Sequence, residues 1–156
     1  MSSDEYDKAG VIAPPPLIYV GSLLLGLLLN RRFPIALLPS RIARSLAWPL
    51  LSGGVLLLGW FEWALRHAGT PANPYKPVSQ LVTEGPFRYT RNPAYLGMAM
   101  IYTGIASLAN ALWAVVFLPV ALIVVQRGVI EREERYLERK FGGEYLHYKA
   151  RVRRWI

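Results

Sequence analysis

The sequence predicts an all-α integral membrane protein: a bundle of about four transmembrane helices with a cytoplasmic helical tail at its C-terminal end. Three observations carry this. The 156 residues are 53% hydrophobic and only 18% charged, with a mean hydropathy of +0.26, unlike an ordinary soluble domain. No charged residue occurs between Arg91 and Arg127. The positive charge that gives a formal net +8 is concentrated at the ends of the apolar stretches, which suits anionic lipid headgroups better than nucleic acid.

Residues 1–16 read as a polar N-terminal segment. Asp4, Glu5 and Asp7, with no basic start before the apolar run, argue against a signal peptide. Pro14, Pro15 and Pro16 can open a helix but not continue one. Residues 17–29 are apolar apart from Tyr19 and Ser22. A span needs about 20 residues, so residues 11–16 must contribute or the bilayer must thin. Arg31, Arg32, Arg41 and Arg44 mark the following loop. Residues 45–61 are uncharged and run into Glu62, Trp63, Arg66 and His67, a second span with a polar exit. Gly53 and Gly54 inside it read as a site of close helix packing, and Glu62 as an i,i+4 partner of Arg66.

Residues 69–83, with Pro71, Pro74 and Pro77, read as irregular. Residues 92–126 exceed one span and fit two short helices turning near Asn110. From Val129 the chain is basic and helical in pattern, with a break at Gly142-Gly143. Four spans place the N-terminus, the 69–91 loop and the tail on one face. Of 18 basic residues only Arg31, Arg32, Arg41 and Arg44 fall on the other, so the first face is expected to be cytoplasmic.

The chemistry concentrates in two segments. Glu84-Gly-Pro-Phe-Arg-Tyr-Thr-Arg-Asn-Pro-Ala-Tyr-Leu-Gly97 enters the long apolar stretch, and a doubly acidic segment leaves it. Gly85-Pro86 turns the chain, and Asn92-Pro93 starts a helix whose first amides favour an anionic group. In the tail, Ile130, Leu137 and Phe141 share one helical face, and Glu133 and Glu134 fall on it too. An inward carboxylate is costly unless partnered. The plainer readings are a solvated helix with Glu131 and Arg135 paired at i,i+4, and Arg88, Tyr89, Arg91 and Tyr95 as interfacial anchors.

Other chemistries lack their residues. Cysteine is absent, and His67 and His147 have no metal-ligand spacing and no Ser–Asp partners for a triad, so no metal is expected. No Gly-x-Gly-x-x-Gly or Walker-type loop is present.

The segment 81–97, followed by a helical hairpin and then by Glu133-Glu134, Phe141-Gly142, Glu144-Tyr145, Tyr148 and Arg151-Val152, closely resembles the isoprenylcysteine carboxyl methyltransferase and phospholipid methyltransferase superfamily. The resemblance covers about the last half of the chain. It implies an integral membrane enzyme that uses S-adenosylmethionine, with residues 17–68 as two N-terminal helices, residues 69–156 as the catalytic core and the tail closing over the cofactor. Carried over by position, it implies cofactor contacts from Leu81, Val82, Phe87, Asn92, Pro93, Ala94, Tyr95, Glu133 and its neighbour Glu134. Arg88, Arg91 and Tyr95 are expected to position the reactants without covalent catalysis. Asn92 stands where the isoprenylcysteine branch has His. Val129 stands where that branch has the Arg that meets the substrate carboxylate; Arg127 and Arg132 are the candidate substitutes. The expected acceptor is therefore a lipid or other hydrophobic molecule, ahead of a prenylcysteine carboxylate. A non-catalytic lipid-binding scaffold is the rival of another class.

Overall fold

A computed structural model describes residues 10–71 and 78–156. Six α-helices follow in order: α1 (Pro15–Arg32), α2 (Ser40–His67), α3 (Pro93–Leu108), α4 (Leu112–Val125), α5 (Glu131–Phe141) and α6 (Gly143–Arg151). A 3₁₀ turn, Gly85–Arg88, precedes α3, and a π-helical turn, Gln126–Ile130, joins α4 to α5 without a break. No strand occurs among the described residues, where the pairing of Ala36 with Ala111 is an isolated bridge. The approach at residues 81–83 is irregular. The polar segment before Gly10, and Pro74 and Pro77 of the loop, lie outside the described residues.

The molecule is apolar outside, and its helix contacts are rich in small residues. Leu24, Leu28, Trp48, Leu56, Val116 and Ile123 face outward, while Ala43, Ala47, Ala106, Ala114 and Ala121 are buried. Water gives no reason for such an exposed belt, and lipid does. In lipid, helices associate through close van der Waals approach, which needs small residues at the contacts. Such contacts bind α2 to α3. A Cβ at Gly54 would lie 2.7 Å from the Gly97 carbonyl oxygen, and one at Gly104 would lie 2.7 Å from Leu51. The α1–α4 contact has the same character: a Cβ on Gly26 would stand 2.8 Å from the Ala114 nitrogen.

Hydrogen bonds in this interior use hydroxyls. Tyr102 donates to the Ala114 carbonyl at 2.7 Å and accepts from Ser22 at 3.1 Å, and Tyr19 donates to the Tyr95 carbonyl at 3.0 Å. Each bond joins different helices. Ser40–His67 and the continuous run Leu112–Phe141 are long and apolar enough to cross a membrane. In the second run the apolar part ends at the π turn.

The two ends of the bundle differ. At one, Asn110 takes the left-handed conformation (φ 49°) between α3 and α4. Its Oδ1 accepts from Leu37 and Leu38, both at 3.0 Å, and its Nδ2 donates to the Leu38 carbonyl at 2.8 Å. One side chain thus ties the turn to the loop at residues 33–39, which itself holds no arginine: Arg31 and Arg32 end α1, and Arg41 and Arg44 lie in the first turns of α2, not in the loop expected from sequence. At the other end Ile12 donates to the Gly128 carbonyl at 3.2 Å, and the Arg91 amide donates to the Arg153 carbonyl at 3.0 Å. The chain on either side of the bundle therefore meets the tail here. Gly142 (φ 52°) stops α5 and turns the chain back into α6.

Candidate active site

A cavity of ≈ 160 Å³ opens at the tail end of the bundle, large against a single water. Phe61 and Leu65 of α2 form one wall, Leu81, Val82 and Phe87 of the approach a second, and the start of α3 a third. The tail closes it with Ile130, Glu133, Glu134, Tyr136, Leu137, Tyr145 and Tyr148. Phe61 and Phe87 pack with centroids 5.7 Å apart, and Tyr148 donates to the Phe87 carbonyl at 2.8 Å. The 3₁₀ turn is thereby clamped between α2 and α6.

The two glutamates occupy the same helix turn in opposite surroundings. Glu134 is buried and fully engaged. Arg154 grips it with Nε at 2.9 Å and Nη2 at 2.8 Å, Arg91 Nη1 lies 3.2 Å away and Lys149 Nζ 3.7 Å away. Burial works against its charge. The Arg154 hydrogen bonds and the charges of Arg91, Arg154 and Lys149 outweigh that, holding the carboxyl below its ordinary value. Glu133 has no cation of its own among the described residues. Both its oxygens accept from the Tyr95 hydroxyl, at 2.8 and 2.9 Å. Burial pushes it up to about 7; the Tyr95 bond opposes this and the charge of Glu134 adds to it. Glu133 lies deep among protein atoms yet keeps part of its surface toward the cavity.

Arg91 is the complementary feature. Its side chain is only 9% exposed, yet Nε and Nη1 have no hydrogen-bond acceptor among the described residues. The proximity of Nη1 to Glu134 is an ion pair without hydrogen-bond alignment. A buried guanidinium with unmade bonds is costly, and an anionic group in the cavity would remove the cost.

Of the residues singled out in the sequence, Leu81, Val82, Phe87, Asn92, Pro93, Ala94, Tyr95, Glu133, Glu134 and Arg91 all line this one cavity. Three do not. Arg88 ends the 3₁₀ turn on its solvent side, 67% exposed and 3.8 Å from Glu84. Arg132 projects from the outer face of α5 and donates to the Gly10 carbonyl at 2.8 Å. Arg127 lies in a separate groove with Gln126 and Trp155, because the π turn carries it to the outer surface while Val129 and Ile130 turn inward. The expected Glu131–Arg135 pair is replaced by a long-range contact, Glu131 to Arg154 at 3.9 Å. Glu62 does pair with Arg66, at 2.8 Å, and His67 stacks on Trp63.

Sequence reasoning missed Arg154, which reaches Glu134 while its backbone carbonyl accepts from Asn92 Nδ2 at 2.9 Å and Thr90 Oγ1 at 3.1 Å. The Asn92 amide is therefore spent partly on holding the tail. Tyr136 and Thr70 were also passed over, and Tyr145, though part of the motif, was given no role at the site. Nothing local separates Arg154 from its basic neighbours.

An outward apolar belt around a helical bundle, with a cavity at its one polar end, is the form of a helical membrane protein. Residues 42–144 match the phospholipid methyltransferase family, and the chain belongs to it. It is similar, at 38% identity over 77 residues, to protein-S-isoprenylcysteine O-methyltransferase B of Arabidopsis thaliana, a match covering 47% of this chain and 37% of the relative. It is also 54% identical over 35 residues to an uncharacterized protein of Haemophilus influenzae, covering 22% of this chain and 56% of that one. The chain thus spans between about a third and somewhat over half of these relatives. No solved structure matches it.

Proposed function

We propose that the protein is a membrane methyltransferase that uses S-adenosylmethionine to methylate a lipid or other hydrophobic acceptor. The observation that carries this is the pairing, in one cavity, of Arg91 with unmade hydrogen bonds and Glu133 with no cation. An amino-acid-like cofactor bearing both a carboxylate and cationic groups fits that donor set. Arg91 would hold the anionic group and Glu133 the cationic one. Phe61, Phe87, Leu81, Val82 and Tyr136 supply apolar and aromatic walls for the remainder. When bound, the cofactor supplies a methyl group already activated by its positive sulfur.

The chain's own work is then positioning and exclusion of water. Tyr95 fixes the Glu133 carboxylate through both oxygens, and Arg154 fixes the tail by engaging Glu134. An amine acceptor must lose a proton, and with Glu133 engaged by the cofactor's cationic group that proton goes to water. A carboxylate or thiolate acceptor needs no such step. Residues 69–156 form the catalytic core in this reading and residues 17–68 its two supporting helices. Four spans put both termini and the cavity on the cytoplasmic side of the cell (inner) membrane, where a water-soluble cofactor can enter beneath the tail while the acceptor comes from lipid.

Methyl esterification of a prenylcysteine is the second reading, favoured by the name of the Arabidopsis relative. Buried Val129, in place of an Arg, speaks against a required substrate carboxylate. Calorimetry on the detergent-solubilised chain with S-adenosylhomocysteine tests the cofactor. Binding is expected for the wild type and for Glu131→Ala and is lost in folded Glu133→Ala; equal effects of the two substitutions would defeat the assignment. Incubation with methyl-labelled cofactor and total membrane extract tests the acceptor. Label confined to a prenylcysteine ester would overturn the lipid preference. A scaffold alone would bind anionic lipid in a salt-dependent way and be indifferent to Glu133→Gln.

A further inference from the structure

On the far side of the π turn from the cavity lies a second concavity, lined by Pro119, Leu122, Ile123, Gln126, Arg127 and Trp155. Its residues form a stripe: Pro119, Ile123 and Arg127 are successive i,i+4 neighbours, and Leu122 and Gln126 are another such pair. The stripe is apolar along α4 and becomes polar where α4 gives way to the π turn. Ile123 is 54% exposed. Trp155, from the end of the tail, donates from Nε1 to Gln126 Oε1 at 3.1 Å, which holds the indole as the groove's second wall. Arg127 is exposed, has no ion-pair partner among the described residues, and does not face the cavity. The Gln126 amide hydrogens have no acceptor there either.

We infer that this groove is a docking site for an anionic phospholipid, with its phosphate on Arg127 and the Gln126 amide and an acyl chain along Pro119, Leu122 and Ile123. The order of the stripe matches the order of a lipid: hydrocarbon beside the span, anion where the apolar residues stop. The indole lies where the apolar stripe ends, and aromatic side chains favour the membrane–water boundary. A soluble acidic partner would satisfy Arg127 but leave the apolar wall unused. A neutral hydrocarbon would leave the guanidinium without a counter-charge. The phospholipid satisfies both. The inference requires the chain to lie in a membrane and does not depend on methyl transfer.

Native mass spectrometry of the full chain, delipidated in detergent and titrated with dioleoyl-phosphatidylglycerol, provides the test. One lipid should be retained in preference to the others. Its affinity should fall about fivefold or more in Arg127→Gln, fall also in Ile123→Ser, and be unchanged in Arg44→Gln at the opposite end of the bundle. Both groove positions are exposed, so the variants should fold, which an unchanged melting temperature checks. Glycerol phosphate, the headgroup without its chains, should not displace the bound lipid at equal concentration. Equal losses in Arg127→Gln and Arg44→Gln would overturn the inference by reducing it to diffuse charge. Displacement by glycerol phosphate would overturn it by showing an anion site without a lipid component.

Discussion

Glu133 and Glu134 are neighbours in sequence that ionise in opposite directions, and the difference is testable by pH. The raised Glu133 costs stability when charged. Its contribution is fully present below about 4.5 and is lost as pH rises through about 7. Glu134, lowered despite burial because Arg154 and the neighbouring cations engage it, stabilises above the ordinary carboxylate range and loses that contribution as the pH falls below it. Glu133→Gln keeps an acceptor for the Tyr95 hydroxyl and removes the buried charge. It should therefore raise the melting temperature in detergent above pH 7, by the equivalent of ~1–3 kcal/mol, and leave it unchanged near pH 4. Glu134→Gln should lower it above pH 5. Melting curves across pH 4–8 separate the two; parallel behaviour would show that the inequality of their surroundings is not real. Arg91→Gln, in the same region, should weaken S-adenosylhomocysteine binding by tenfold or more and also lower the melting temperature above pH 5, because it takes one cation from buried Glu134; unchanged binding in the folded variant would remove Arg91 from the site.

At the scale of elements, the tail and the α2–α3 contact carry the architecture. The last residues hold residues 90–92 through three hydrogen bonds to the backbone carbonyls of Arg153 and Arg154, while the Arg154 side chain is bonded to α5 through Glu134. Arg154→Ala removes a two-point charge-assisted contact and leaves Glu134 with weaker partners. A loss of ~2–3 kcal/mol and faster proteolysis of the tail are expected. Normal protease resistance in that variant would mean that packing of Tyr145 and Tyr148 alone holds the tail. The α2–α3 contact has no spare room. Gly54→Leu must push against the Gly97 backbone oxygen, which cannot rotate away, and should separate the helices with a loss of ~1–3 kcal/mol or more. At exposed Gly59, where an added Cβ meets nothing within 4 Å, Gly59→Ala should cost nothing and is the control.

For the whole molecule the question is which faces of the bundle meet which side of the membrane. The chain has no cysteine, so single cysteines report position without background. Ser40→Cys, at the start of α2, and Ser79→Cys, beside the cavity, should react with an impermeant maleimide from opposite sides of sealed vesicles. Ser79 should be the cytoplasmic one, following the larger share of Lys and Arg. Labelling of both from one side would break the alternating four-span arrangement. The outward belt that includes Leu56, Val116 and Ile123 also predicts aggregation on removal of detergent, because water would meet that apolar surface directly.

What the sequence determined by itself was set by local physics. Runs of apolar residues, Pro at helix starts, Gly142 at a helix stop and the hairpin turn at Asn110 depend on neighbours a few positions away, so helix number and order were legible. So was the clustering of residues 81–95 with Glu133 and Glu134, carried by two motifs in fixed order. The tertiary structure alone decided how those residues are partnered. Arg154 is 20 residues from Glu134 and 62 from Asn92, and nothing in its own surroundings distinguishes it from Arg151 or Arg153. The unequal states of the two glutamates, the unmade bonds of Arg91 and the turning of Arg127 out to the lipid-facing groove follow from which cations and walls the fold brings near. Burial and charge act through space, and the distances that set them exist only after the helices have packed.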